Sequence, residues 1–232
     1  MTVTKHIGIV AVSPEGAALC YRQIFRQASH LLKPGQHPRV TLYGERLQNY
    51  IDALRANDWH TVGDLLRTSA KYLASCGAEF CFSPDNAVQF GVHLAEAGSP
   101  IPWLHMPEMV AKTVVEDGRK VVGLIGTKMV TTASTYQTHL GLKGVHVLAP
   151  DPDEADELDR IIFQELIYGE IKPRSQQLVL GIIRRLQANK CEAVILASSE
   201  APLLVTPELS PVPLYDAADI LARGAVVRAM AT

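Results

Sequence analysis

This chain reads as two passes over one pattern, and that limits its possible folds more than any other property. Ile7-Gly8-Ile9-Val10-Ala11 returns as Val122-Gly123-Leu124-Ile125-Gly126, and the run from Gly77 to Asn86 returns as the run from Lys190 to Ser199. The spacing returns too, since 77 residues separate Gly8 from Asp85 and 75 separate Gly123 from Ser198. A segment that recurs with its spacing is a structural unit used twice. Within each pass, short β-branched runs alternate with longer stretches of helical periodicity, the pattern of βαβ units around a parallel sheet. The fold class is therefore α/β, with two similar Rossmann-like lobes related by a pseudo-two-fold axis. The 232 residues suit two lobes of roughly 110 to 120 residues each, drawn here as 1–115 with 215–232 and as 116–214.

Strands are expected at His6 to Val12, Arg39 to Tyr43, Glu79 to Ser83, Pro102 to His105, Val121 to Gly126, Val145 to Leu148, Ala193 to Ala197 and Val212 to Tyr215. Helices are expected at Pro14 to Leu32, His60 to Cys76, Asn86 to Ala97, Pro107 to Asp117, Thr131 to Gly141, Pro152 to Tyr168, Pro173 to Asn189 and Asp216 to Met230. Several open on a start signal, such as Pro152 after Asp151 or Asp216 ahead of two alanines. In open parallel sheets ligands bind beyond the carboxyl ends of the strands. Asp85 and Ser198 follow such ends, one in each pass, so the pseudo-symmetry would bring them to a shared cleft from opposite sides.

Composition narrows the function. With 47% hydrophobic and 20% charged residues, the chain is neither disordered, collagen-like nor a coiled coil. A net charge of −2 offers no basic field for nucleic acid or an anionic membrane. The apolar stretch before Ser13 is too short for a signal peptide or a membrane span. Cys20, Cys76, Cys81 and Cys191 form no CxxC pair and no disulfide framework, which fits the reduced thiols of a cytoplasmic protein. Of these, Cys76, Cys81 and Cys191 fall before or within strands and are expected in the core. The eight histidines are scattered, with no HExxH and no cluster at ligand spacing, so no metal is expected. P-loop, GxGxxG and GxSxG motifs are missing as well.

The ordered motifs carry a chain-wide resemblance. Ile7-Gly8-Ile9-Val10 precedes Ser13-Pro14-Glu15; Pro84-x-Asn86 marks a strand end; Ile101-Pro102-Trp103-Leu104-His105 follows. The second half has Val122-Gly123-Leu124-Ile125-Gly126-Thr127 with Tyr136, Ile161-Ile162-Phe163-x-Glu165-Leu166 with Gly169, Ser199-Glu200 with Pro202-Leu203-Leu204, and Pro213-Leu214-Tyr215-Asp216. In this order they resemble the aspartate/glutamate racemase superfamily, which also holds hydantoin racemases, maleate isomerases and arylmalonate decarboxylases. The resemblance implies two α/β lobes with the active site between them, often a homodimer, needing neither metal nor pyridoxal phosphate. It also implies a small carboxylate or amino acid as substrate.

In such racemases each lobe supplies a cysteine, one within Pro-Cys-Asn-Thr and one within Gly-Cys-Thr-Glu, and the two exchange protons with opposite faces of the substrate carbon. Here the first position is Asp85, in Ser83-Pro84-Asp85-Asn86-Ala87, and the second is Ser198, in Ala197-Ser198-Ser199-Glu200. Ala87 replaces the motif threonine and Val130 a polar residue. The two-thiol mechanism does not carry over. Asp85 is the candidate base, because an ordinary aspartate titrates near ~3.9 and partial burial raises its basicity. Ser198 becomes a proton donor or nucleophile only with a base beside it; Glu200 and His105 are the candidates. The competing role for both is helix capping, Asp85 for a helix from Asn86 and Ser198 for one after Ala197.

Asn86, Thr127 and Ser199 lie at strand-to-helix junctions, where hydroxyls, amides and free backbone N–H groups hold anions. The family uses matching positions for the substrate carboxylate. Ser13 is a further donor, and Glu200 keeps the motif's acidic residue, with loop positioning as its plainer role. Arg46 and Lys172 are charged candidates for a second carboxylate, though surface roles fit each better, and His105 reads as a structural histidine. Three functions stay open: a racemase or isomerase using Asp85 and Ser198; a one-base lyase, decarboxylase or hydrolase; and a non-catalytic carboxylate-binding protein.

Overall fold

The computed structural model describes residues 4–231. The chain divides into two compact units, Met1–Met106 with Leu221–Thr232, and Pro107–Ile220. The first unit runs β1 (Ile7–Ala11), α1 (Pro14–Leu31), β2 (Val40–Gly44), α2 (Leu47–Arg55), α3 (Trp59–Ser75), β3 (Phe80–Phe82) and α4 (Gln89–Glu96). Helix α5 (Met106–Glu116) leads into the second, which runs β4 (Val121–Gly126), α6 (Lys128–Thr132), α7 (Ser134–Gly141), β5 (His146–Leu148), α8 (Pro152–Gln164), α9 (Pro173–Ala188), β6 (Ala193–Ala197) and β7 (Leu214–Asp216). Helix α10 (Ala217–Met230) returns the chain to the first unit.

Both sheets are parallel and share a strand order. The first is β2-β1-β3, the second β5-β4-β6-β7. The central strand of each is buried almost throughout, as expected of a sheet covered on both faces. Registers preserve the repeat, because Gly8 pairs with Cys81 and Gly123 with Val194. Both glycines admit a helix. A Cβ on Gly8 would stand 3.1 Å from Leu73 Cδ1 of α3, and one on Gly123 would stand 2.9 Å from Leu186 Cδ1 of α9. Separate apolar clusters fill the units: Val10, Val62, Leu66, Leu73 and Trp103 in one, Ile125, Leu158, Ile161, Ile183 and Leu196 in the other.

The structure corrects several expected elements. Pro102 to His105 forms only a single parallel bridge, Cys81 to Trp103, with Cys81 N donating to Pro102 O and Leu104 N to Cys81 O. It occupies the place beside β3 that β7 holds beside β6. The helix expected from Asn86 begins at Gln89, because the intervening residues are held in a turn. The helix expected from Thr131 to Gly141 is broken at Ala133 (φ −71°, ψ 153°). Thr131 and Thr132 hydroxyls donate back to carbonyls of Thr127 and Lys128, a local alternative to helix continuation. Helix α8 ends at Gln164, and a 3₁₀ turn (Leu166–Tyr168) follows, closed by Gly169 at φ 73°. Helix α2 has no counterpart among the expected elements.

The thiols also divide. Cys20, Cys81 and Cys191 are buried, but Cys76, expected in the core, is exposed because it caps the C-terminus of α3. No helix among the described residues is long and apolar enough to cross a membrane.

Candidate functional site

In the first unit, β3 runs into Ser83-Pro84-Asp85-Asn86, and the aspartate is pinned from two directions. Its Oδ1 accepts from Ala87 N at 2.9 Å, and its own N–H points to Ser83 Oγ at 3.4 Å. The carboxylate therefore closes a local turn; it does not cap α4, whose N-cap is Val88. Gln89 locks the turn from below. Its side-chain amide donates to Ser83 O at 3.1 Å and to Asp85 O at 2.8 Å, and the residue is 2% exposed. Asp85 itself is half-buried, and Asn86 is buried beside it. Burial holds the Tyr50 phenol protonated; the neighbouring Ser69 hydroxyl opposes this, and the charges of Glu45 and then Asp85 reinforce it.

At the same sheet edge, Ser13 follows β1. Its Oγ accepts from Gly16 N at 3.3 Å and so caps α1. Thr127 does the matching work after β4, accepting from Val130 N at 3.4 Å to cap α6. A hydroxyl that accepts in a cap keeps its own proton to donate, so the cap role of Thr127 is compatible with carboxylate binding. Val130 is buried in α6, which explains an apolar residue there.

The second unit builds a different device after β6. Gly126 pairs with Ala197, so Thr127 and Ser198 leave neighbouring strands at the same level. Ser198, Ser199 and Glu200 are all at least 95% buried. Ser198 Oγ donates to Glu200 Oε2 at 2.9 Å, and Ser199 Oγ reaches the same oxygen at 3.3 Å. Ser198 caps no helix: the following 3₁₀ turn (Ala201–Leu203) has Glu200 at its N-cap and no side-chain cap bond. A hydroxyl held on a carboxylate can hand its proton over or recover it, which an isolated serine cannot do.

Of the two candidate partners for Ser198, the fold supplies Glu200. His105 instead gives Nε2 to Glu96 Oε2 at 2.9 Å and stacks on His93, with ring centroids 4.8 Å apart at 13°. Arg46 is exposed at the start of α2, and Lys172 pairs with Glu170 at 3.2 Å and Glu165 at 3.7 Å. Glu165 is a buried anchor. Burial raises its pKa, but the Ser175 hydroxyl at 2.7 Å, Arg160 at 2.7 Å and the charge of Lys172 more than offset this and leave it below the usual carboxylate range. The cysteines do not replace the missing thiols. Burial pushes the Cys81 and Cys191 thiols up, away from the thiolate form.

Gln89 was not among the sequence candidates, and the only signal for it is a glutamine in the first turn of a helix that follows a strand-end loop. His93, Glu96 and His105 were also missed as a group, because no regular spacing joins a helix to a residue nine positions on.

Two parallel-stranded α/β units each end the strand next to the central one in a constrained polar residue. A model of the Asp/Glu/hydantoin racemase family matches residues 9–225, and the chain belongs to that family. Its fold matches a Yersinia pestis protein proposed to be an Asp/Glu racemase, with TM-score 0.86 and 27% identity, covering 98% of this chain and 100% of that one. An aspartate racemase homologue from Pyrococcus horikoshii OT3 matches with TM-score 0.83 and 26% identity, covering 98% and 100%. The Picrophilus torridus aspartate racemase shares the fold at TM-score 0.80 and 20% identity, covering 97% and 94%.

Proposed function

We propose that the protein moves a proton at the carbon next to the carboxylate of a small acid, an amino acid or a related dicarboxylate, without metal or pyridoxal phosphate. Asp85 takes the proton from one face. Ser198, backed by Glu200, serves the other: the serine hydroxyl gives its proton to the carbanion and is reprotonated by the Glu200 carboxyl. In the reverse direction Glu200 accepts the serine proton while Ser198 Oγ removes the substrate proton, and protonated Asp85 delivers to the opposite face. Asn86, Thr127 and Ser13 donate to the substrate carboxylate. The observation that carries this reading is the Ser198–Glu200 hydrogen bond at 2.9 Å, which gives the second unit an acid/base group where a lone serine would have none.

The test is incubation with each enantiomer of aspartate and glutamate in deuterated water, followed by NMR and chiral analysis. Exchange at the α-carbon with inversion is the expected result. No exchange with any of the four would remove the racemase reading for these substrates. Exchange without inversion would favour one-sided chemistry, that of a lyase or decarboxylase, which the contrast between a half-buried Asp85 and a buried Ser198 also favours.

A further inference from the structure

We infer that His93, Glu96 and His105 form a binding site for a first-row divalent cation, zinc by preference. The donor atoms of the three, two imidazole nitrogens and one carboxylate oxygen, lie within 4.8 Å of one another. His93 and Glu96 stand three apart on α4 and so share a face. His105 is brought to them by a stiff loop. Gly98 turns the chain at φ 88°, Ser99 Oγ donates to Ile101 O at 2.7 Å, and buried Trp103 donates Nε1 to Ser99 Oγ at 3.0 Å. The Trp103 bridge to Cys81 fixes the loop to the sheet. Helix α4 is equally constrained, since Gly91 lies where a Cβ would stand 2.6 Å from Val62 of α3.

The chemistry of the donors selects the cation. Two imidazoles with one carboxylate suit borderline ions such as zinc, nickel and cobalt, whereas calcium and magnesium favour all-oxygen sets. Among the described residues, Glu96 meets an imidazole and no lysine or arginine, so its charge is available to offset a cation. Tetrahedral ligands at about 2.0–2.1 Å lie roughly 3.4 Å apart. His93 and Glu96 are both exposed, which leaves their side chains room to turn toward a common centre. The metal would replace the proton between Glu96 and His105 and leave a fourth position open to solvent. It would also tie the end of α4 to the strand-end loop, while Gln89 at the other end of that helix holds the Asp85 turn. The inference stands on these three residues and does not depend on the proposed proton transfer.

The experiment is calorimetric titration of chelator-stripped full-length protein with Zn²⁺, repeated on His93→Ala, Glu96→Gln and Cys76→Ser, with Co²⁺ spectra to report ligand type. The expected result is one equivalent bound by the wild type, affinity reduced at least about tenfold in each of the first two variants, and unchanged affinity in Cys76→Ser. Co²⁺ should give d–d bands without thiolate charge transfer. Melting in EDTA checks that the variants, changed at exposed positions, remain folded. Undiminished uptake by both His93→Ala and Glu96→Gln, loss confined to Cys76→Ser, or no saturable binding below ~1 mM would each overturn the inference.

Discussion

In the first unit Gly8 makes room for Leu73, and Gly77 ends α3 at φ 88°; in the second Gly123 makes room for Leu186, and Lys190 follows α9 at φ 68°. Glu79 accepts from His6 N at 2.9 Å where its sheet begins, and the matching Glu192 accepts from Lys120 N, one residue before the counterpart of His6, at 2.7 Å. At the opposite edge the agreement stops. Four residues beyond the partner of the central glycine, one unit has a half-buried carboxylate closing its own turn, and the other has a buried hydroxyl resting on Glu200. The repeat persists where backbones and helices must touch and lapses where only side-chain chemistry is at stake. Each unit could then acquire its own strand-end side chain without disturbing a shared scaffold.

The sharpest way to break this comparison is at the strand ends. Asp85→Asn should slow α-proton exchange by about 10²–10⁴-fold. Ser198→Ala and Glu200→Gln should each reduce it by similar amounts, and the double variant should be no slower than either, because the two act as one unit. Exchange rates followed by NMR would show this; a wild-type rate in Ser198→Ala would confine the chemistry to the first unit.

Scaffold changes should be smaller. By the Gly8–Gly123 correspondence, Gly126 stands where the first unit has Ala11, yet a Cβ there would lie 2.6 Å from Ala197 O. Gly126→Ala should therefore cost about 1–3 kcal/mol in urea unfolding, and a neutral result would mean that β4 and β6 tolerate the first unit's residue.

Glu165→Gln should cost about 1–2 kcal/mol at neutral pH, from hydrogen bonds to a charged group. The folded pKa of Glu165 is depressed. Its contribution is therefore present above the ordinary carboxylate pKa and lost as pH falls through the folded value. Unfolding curves of wild type and variant should converge in acid, and a gap constant down to pH 2 would remove the charge from the explanation.

The least effect is expected at the helix ends. Lys190→Gly, which copies Gly77, should raise stability by about 0.5–1 kcal/mol by relieving a left-handed backbone at a non-glycine residue. Gly77→Lys should lower it. Equal and opposite melting shifts would sharpen the equivalence of the two positions.

Much of this was legible in the sequence because βαβ scaffolds announce themselves locally. Val121–Gly126 and Ala193–Ala197 are apolar runs that permit no other placement, and Asp216 ahead of two alanines does cap α10, accepting from Ala218 N at 3.0 Å and Asp219 N at 3.1 Å. Short elements were harder. Helix α2 buries only Tyr50 and Ala53, too little to impose a clear period, and the segment around Trp103 has strand composition but pairs through a single bridge. At the candidate site, the strand-end positions of Asp85 and Ser198 were readable from the repeat, while their hydrogen-bond partners were not. Whether Glu200 or His105 would meet Ser198 depends on the turn after Ala197 and on α4, and side-chain reach across a loop leaves no periodic trace.

Lys5 N donates to Ala229 O at 2.8 Å, so the segment leading into β1 is clasped to α10. The first unit is thus assembled from segments far apart in sequence, and α10 must be in place before that unit can close. A circular permutant that joins the ends through a short linker and opens at the exposed turn around Gly118 would turn this late closure into an early one. Its refolding rate against that of the parent would report how much of the first unit waits for its final helix.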